Sequence, residues 1–331
     1  MSSNKRELEY SLAINEALHQ LMQADKDIIL VGQGVKSPWY VGNTCKGLVE
    51  KFGENRVIDT PVSENAMTGM AVGAAIAGNR SIVVHPRMDF MLYAFDPIIN
   101  EAANWHYMSG GELSVPVVFW GIINRGGEQA AQHSQALHGL FAHIPGLKVV
   151  MPSTPYDAKG LMVSAVMDPN PVVFIDDRLL YANKGEVPTE LYSVPIGEAA
   201  VRKEGKDITI IAVSYSAFLV EKVSLRLSEN GIDAEVIDLR SIKPLDTKTI
   251  LKSVKKTGRV IIIDVGWKSF GISAEIAARI AESGIALKSP LNRIALPDTP
   301  APASRSLEEA YYLNEKKIYE FIYRIFKKGS S

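Results

Sequence analysis

The segment Pro116-Val-Val-Phe-Trp-Gly-Ile122 is apolar from end to end. A strand with one face in water would alternate. An unbroken run suits a central strand covered on both faces, as in a parallel sheet between helices. Ile28-Ile-Leu-Val31, Ser81-Ile-Val-Val84, Leu147-Lys-Val-Val150 and Pro171-Val-Val-Phe-Ile175 read as further strands. Helical spacing lies between, and it also precedes the first run, at Tyr10, Ile14, Ala17, Leu18 and Leu21. Beyond Gly197 a second series begins, with Ile208-Thr-Ile-Ile-Ala-Val213, Ala234-Glu-Val-Ile-Asp-Leu239, Val260-Ile-Ile-Ile-Asp264 and Asn292-Arg-Ile-Ala-Leu296. This alternation predicts parallel sheets with right-handed crossovers. The expected fold class is α/β with two domains, each a mainly parallel sheet flanked by helices. The stretch 183–190 is charged and broken by Gly185 and Pro188, and reads as a linker. The expected division is 1–182, a linker at 183–197, and 198–331. A chain of 331 residues is long enough for two cores.

Composition narrows the function. Apolar residues make up 47% and charged residues 22%, and the formal charge is -1. That balance gives neither nucleic acid nor an anionic membrane an electrostatic handle. Cys45 is the single cysteine, so neither an internal disulfide nor an all-cysteine metal site can form. His138 and His143 follow His133 at five-residue intervals, without clustered carboxylates, which argues against zinc. The start, Ser2-Ser-Asn-Lys-Arg-Glu-Leu-Glu9, has no secretory apolar core and is acidic for a transit peptide. The Gly69–Gly78 run is too short for a bilayer. A cytoplasmic, bacterial-type enzyme subunit is the expectation.

The chemistry centres on Asp59-Thr-Pro-Val-Ser-Glu64 and the small-residue run to Gly78. Pro61 stiffens the entry and Ser63 is suited to cap the following helix. Glu64 then falls in the first turn, beside free backbone N–H groups. Gly69, Gly73, Ala74 and Ala75 leave room for close backbone packing. A rigid carboxylate ahead of such a helix suits an acid–base site, although an ordinary capped helix is the better reading of the stretch taken alone. Thr154-Pro155 with Asp157 predicts another helix start. The polar, glycine-bearing segment Asn124-Arg-Gly-Gly-Glu-Gln-Ala-Ala-Gln132 reads as a mobile loop delivering His133.

In order and content these segments resemble the beta subunits of thiamine-diphosphate-dependent 2-oxo acid dehydrogenases. Gln132-His-Ser-Gln135, Ile144-Pro-Gly-Leu-Lys-Val-Val150, Thr154-Pro-Tyr-Asp-Ala-Lys-Gly160 and Asp238-Leu-Arg-Ser-Ile-Lys-Pro-Leu-Asp246 extend the likeness over nearly the whole chain. It implies a transketolase-like pyrimidine-binding domain followed by a transketolase C-terminal-like domain. It also implies that Glu64 bonds the ring nitrogen of the cofactor's aminopyrimidine, with Val62, Phe90 and Tyr93 in the cofactor site. His133 becomes the active-site histidine, orienting a substrate carboxylate or supplying a proton. Val117, Ala165, Val166, Asp168 and Asn170 match positions that hold a structural monovalent cation such as K+ in relatives. A plain helix-to-strand turn explains those residues equally well.

The sequence shows no Gly-x-Gly-x-x-Gly, no phosphate-loop Gly-Lys-Ser/Thr and no Gly-Asp-Gly with an asparagine pair. A diphosphate needs such donors or cations. The resemblance assigns them, with Mg2+, to a separate alpha subunit, two alpha and two beta chains assembling together. A 2-oxo acid would be decarboxylated and its acyl group passed to a lipoyl acyltransferase core. Gln33 stands where relatives carry a carboxylate, and Asn124 and Arg125 are unusual too, so a split transketolase or an acetoin-cleaving or other ketol-transfer subunit stays open. A non-catalytic scaffold or regulatory subunit is the alternative of another class, and the presence of both Glu64 and His133 argues against it. Trp39 and Tyr40 read as packing or interface residues. Asp96-Pro97 predicts a kinked or late-starting helix.

Overall fold

The computed structural model describes residues 6–37 and 41–328; Trp39 and Tyr40 lie outside them. Among the described residues, the first sheet has seven strands. Their order is Val57–Asp59, Ile28–Gly32, Arg80–His85, Val117–Ile123, Val172–Asp177, Lys148–Val150 and Ser241–Lys243. All neighbours run parallel except the last pair. The apolar run at 117–123 is the middle strand, buried throughout. Successive side chains there point to opposite faces. Trp120 packs with Ile14, Leu18 and Leu161 under the Tyr10–Ala24 and Pro155–Met167 helices. Phe119 packs on the other face with Met91, Val149 and Phe141.

The second sheet orders Asn292–Leu296, Val260–Trp267, Ile208–Ala212, Ala234–Asp238 and Ala200–Lys203, the last antiparallel. Its outer face is covered by the Tyr215–Glu229 and Glu315–Lys328 helices, with Leu219, Val223, Ile318 and Ile322 buried between. Its inner face, with Ile211, Ile237 and Ile262, shares one apolar core with Phe119, Leu137 and Phe141 of the first half.

Several pairings bind the halves together. After Asp238 the chain crosses back, and Ser241–Lys243 adds an edge to the first sheet opposite Val149 and Val150. Asp157 and Asp238, both fully buried, meet Arg202 between them, and Arg240 Nη1 reaches Asp157 Oδ1 at 3.1 Å. Inside the stretch read as a linker, Lys184–Glu186 pairs with Glu7–Glu9. Both segments are too polar and short to show in the sequence pattern. No helix starts at Asp96-Pro97: the chain is helical from Met88 and passes through Phe95 and Asp96-Pro97, changing only its winding after a 3-10 turn over Met88–Ala94. The chain is wound wide over Asp96–Ala102 before tightening at Ala103–Met108.

Candidate active site

The carboxyl ends of the first sheet's strands gather the chemistry, as expected for open parallel sheets. Asp59 ends one strand and its Oδ1 accepts from Gly34 N at 2.7 Å, while Thr60 N donates to Gly32 O at 3.1 Å. These bonds fix the turn into the Glu64–Ile76 helix, and Glu64 is the first residue of that helix. Ser63 occupies the N-cap position, but its side chain makes no cap bond, contrary to the sequence expectation. Thr154 does cap as expected, accepting from Asp157 N at 3.1 Å.

Next along the sheet, His85 ends the Arg80–His85 strand. The following turn lifts Phe90 and Tyr93 onto the same side as Glu64. One cavity of about 390 Å³ is lined by Glu64, Val62, Phe90, Tyr93 and His133. His85, Pro86, Arg87 and Gln33 complete it. Phe90 stands edge-on to His133, with ring centroids 5.4 Å apart at 89°, and lies 6.5 Å from the Tyr93 ring. Val62 and Tyr93 remain 69% and 71% exposed, so the cavity opens onto an uncovered face. Gly69 and Gly73 on the same helix have open space where a side chain would stand.

A tether sets the Phe90–His133 spacing. Asp89 Oδ1 accepts from Gln135 Nε2 at 2.8 Å and from Gln135 N at 3.2 Å. Burial raises the Asp89 carboxyl above its usual range, against the pull of the Gln135 donors and nearby His133. His85 is buried, and burial pushes its imidazole down to about 3, so it stays neutral. Its Nε2 lies 3.3 Å from Thr68 Oγ1 of the Glu64 helix. The sequence places the loop His85-Pro-Arg-Met-Asp-Phe90 at the carboxyl end of a strand, where such sheets bind ligands, but it gives Asp89, His85 and Arg87 no individual roles.

The loop expected to be mobile is anchored. Asn124 Oδ1 accepts from Arg178 Nη1 at 2.8 Å, and Arg125 pairs with Asp177 while reaching Val265 O at 3.3 Å. The cation candidates form a separate group at the opposite, amino end of the sheet. There Arg80 Nη1 donates to Val166 O at 3.1 Å, and Asp168 accepts from Lys148 Nζ at 2.5 Å and Asn170 N at 2.9 Å.

Chemically, the cavity offers a carboxylate, an imidazole and an aromatic wall. That set fits a flat heterocycle with hydrogen-bonding ring nitrogens, such as an aminopyrimidine. It does not fit a diphosphate with its metal: among the described residues Arg87 is the one Lys or Arg in its lining, and no described cluster of three or more His, Cys, Asp or Glu is placed to hold a metal. No helix among the described residues is long and apolar enough to cross a membrane.

Residues 6–184 match the transketolase pyrimidine binding domain, and residues 197–318 the transketolase C-terminal domain. The beta subunit of acetoin:2,6-dichlorophenolindophenol oxidoreductase from Cupriavidus necator is 41% identical, over 98% of this chain and 99% of its own. The pyruvate dehydrogenase E1 beta subunit of Rickettsia conorii is 40% identical, over 95% and 96%. A split-gene transketolase, solved as an inactive beta4 tetramer, superposes with TM-score 0.77 over 97% of this chain and 98% of that one, at 20% identity. The chain belongs to the transketolase-type family of thiamine-diphosphate-dependent E1 beta subunits, which work with an alpha subunit.

Proposed function

We propose that this chain supplies the pyrimidine half of a thiamine-diphosphate site that is completed by an alpha subunit, and that the assembled enzyme decarboxylates a 2-oxo acid. The observation that carries the reading is the convergence of Glu64, Phe90 and His133 on one cavity with an open side. When bound, thiamine diphosphate supplies the carbon nucleophile for the substrate carbonyl and the sink for the electrons released on decarboxylation. Glu64 would bond the pyrimidine ring nitrogen and hold the proton it shares with that atom. Phe90 would pack on the ring, with Val62 and Tyr93 beside it. His133 holds the substrate carboxylate or carries a proton on a ring nitrogen, a form of help worth roughly a hundred- to ten-thousand-fold in rate.

The exposed Val62, Met70, Leu92 and Tyr93, beside Gly69 and Gly73, give the alpha subunit an apolar surface for close approach. In this reading the alpha subunit brings the diphosphate donors and the Mg2+ ligands, two alpha and two beta chains assemble, and a lipoyl acyltransferase core receives the acyl group. A cytoplasmic location goes with it. A structural K+ near Val117, Ala165, Val166, Asp168 and Asn170 is a secondary proposal, supported by the buried and unpartnered Asn170 Oδ1. A higher melting temperature in K+ than in Na+ is its test.

Acetoin cleavage is the second reading, favoured by the 41% and 42% identity to two acetoin oxidoreductase beta subunits. The deciding experiment reconstitutes the chain with its alpha subunit, thiamine diphosphate and Mg2+. Carbon dioxide release from pyruvate and branched 2-oxo acids is then compared with acetoin cleavage. Cofactor-dependent carbon dioxide release supports dehydrogenation; acetoin cleavage alone replaces it with the second reading. The absence of cofactor-dependent turnover on every substrate rejects both.

A further inference from the structure

The loop that carries His133 is held by the other half of the molecule. Arg125, 6% exposed, pairs with Asp177 at the end of one first-sheet strand and with the carbonyl of Val265 in the second sheet. Its guanidinium also lies 5.4 Å from the Tyr215 ring and 5.8 Å from that of Tyr312. The backbone then turns left-handed, with φ of 78° and 74° at Gly126 and Gly127, and of 64° and 59° at Glu128 and Ala130. Glycine takes such angles freely, whereas Glu128 and Ala130 are strained there and need outside support.

For Glu128 the support comes from the Arg305–Tyr311 helix. Glu308 is 5% exposed and its Oε2 accepts from Glu128 N at 3.0 Å. In return Glu128 Oε1 accepts from Arg305 N at 3.3 Å, at a helix start where Ser304 makes no side-chain cap. Loop and helix therefore cap one another. Downstream, Gln135 is tied to Asp89. His133 stands between two anchors, one from each half.

We propose that Arg125 and Glu308 are positioning residues, through which the C-terminal half clamps the Asn124–Gln132 loop and so sets where His133 stands in the cavity. The consequence for catalysis rests on the role given to His133 above; the clamp itself does not. Without Glu308, Glu128 relaxes towards an ordinary φ, and the segment that carries His133 is left with its Arg125 and Gln135 anchors. Glu64 and Phe90, on other segments, stay where they are.

The test uses Glu308→Ala, Glu308→Gln and Arg125→Lys in the full chain and in the complex with the alpha subunit. In the full chain, Glu308→Ala should speed amide exchange over Gly126–Gln132 by about tenfold, as expected on losing a bond to a charged acceptor. Exchange in the Val117–Ile123 and Val260–Trp267 strands should stay unchanged, and the His133 imidazole resonances should shift. In the complex, kcat should fall about tenfold with cofactor affinity unchanged. Glu308→Gln, which keeps an acceptor oxygen, should restore much of both, and Arg125→Lys should loosen the same amides. Unchanged loop exchange in Glu308→Ala overturns the clamp. Faster exchange without any change in the His133 resonances overturns the positioning role. A wild-type complex without cofactor-dependent turnover would instead count against the proposed function, leaving the exchange and resonance results to decide the clamp.

Discussion

His138 Nε2 lies 2.9 Å from Asp264 Oδ1, with both side chains buried and one contributed by each half of the molecule. Burial alone would raise the Asp264 carboxyl. It lies below its ordinary value because His138 and the N–H groups of Gly266 and Ser273 favour the charged form. His138→Ala leaves that carboxylate buried beside a void. Losing a buried hydrogen bond to a charged carboxylate costs about 1.5–3 kcal/mol. The denaturation midpoint should fall accordingly, while turnover per folded molecule stays near wild type. A large loss of turnover without a stability change would move His138 into the chemistry.

His133 should behave in the opposite way. It lines the cavity and stands edge-on to Phe90. His133→Ala should cut turnover by at least about a hundredfold, the low end for acid–base help. Melting temperature and cofactor affinity should change little. Equal turnover in the His133 and His138 variants would reject the assignment.

Glu64→Gln keeps size and hydrogen bonding but removes the ionisable group. In the reconstituted complex, cofactor affinity should drop modestly, while proton exchange at the cofactor's thiazolium carbon should slow by more than about a hundredfold. Exchange at the wild-type rate would reduce Glu64 to a carboxylate at a helix start.

The chain alone should bind thiamine diphosphate weakly, because its cavity lacks the donors a diphosphate and its metal require. Calorimetry should show strong, magnesium-dependent binding after the alpha subunit is added. Tight binding to the single chain would contradict the division of the site.

Asp176 gives a pH signature. It is fully buried, and its Oδ1 accepts from Trp120 Nε1 at 3.1 Å. Burial pushes its carboxyl from 3.8 up to about 7, with the neighbouring Asp177 adding to the rise. The folded state therefore holds a proton that the unfolded chain has released. Its contribution is fully present below the unfolded value and is lost as pH rises towards about 7, with a slope of about 1.4 kcal/mol per unit at most. Asp176→Asn keeps an acceptor for Trp120 and should flatten the fall in stability between pH 5 and pH 7, about two units of that slope. Parallel pH profiles for wild type and variant would show Asp176 to be ionised in the fold.

Legibility followed residue type and range. The long strands declared themselves because burial on both faces demands unbroken apolar runs, as at Val117–Ile123. Glu64 and His133 stood out through the resemblance of their motifs to a family, not by local chemistry alone, and the structure brings both to one cavity. Three-residue pairings such as Glu7–Glu9 with Lys184–Glu186 bury too little apolar surface to leave a pattern. Ser63 looked like a cap because residue type favours one, yet its side chain makes no cap bond. The polar Asn124–Gln132 loop read as mobile because its restraints come from Asp177, Val265 and Glu308, far away in the chain.

The sequence by itself determined the α/β alternation, the two-part organisation and the residue types available for chemistry, since these depend on local periodicity and turn stereochemistry. Only the tertiary structure decided that Ser241–Lys243 returns to the first sheet, that Asp89 tethers Gln135, and that Glu308 supports the strained backbone at Glu128. Each of these joins polar groups distant in sequence. A hydrogen bond or ion pair leaves no periodicity in the chain, and it becomes visible only when burial has removed water as the competing partner.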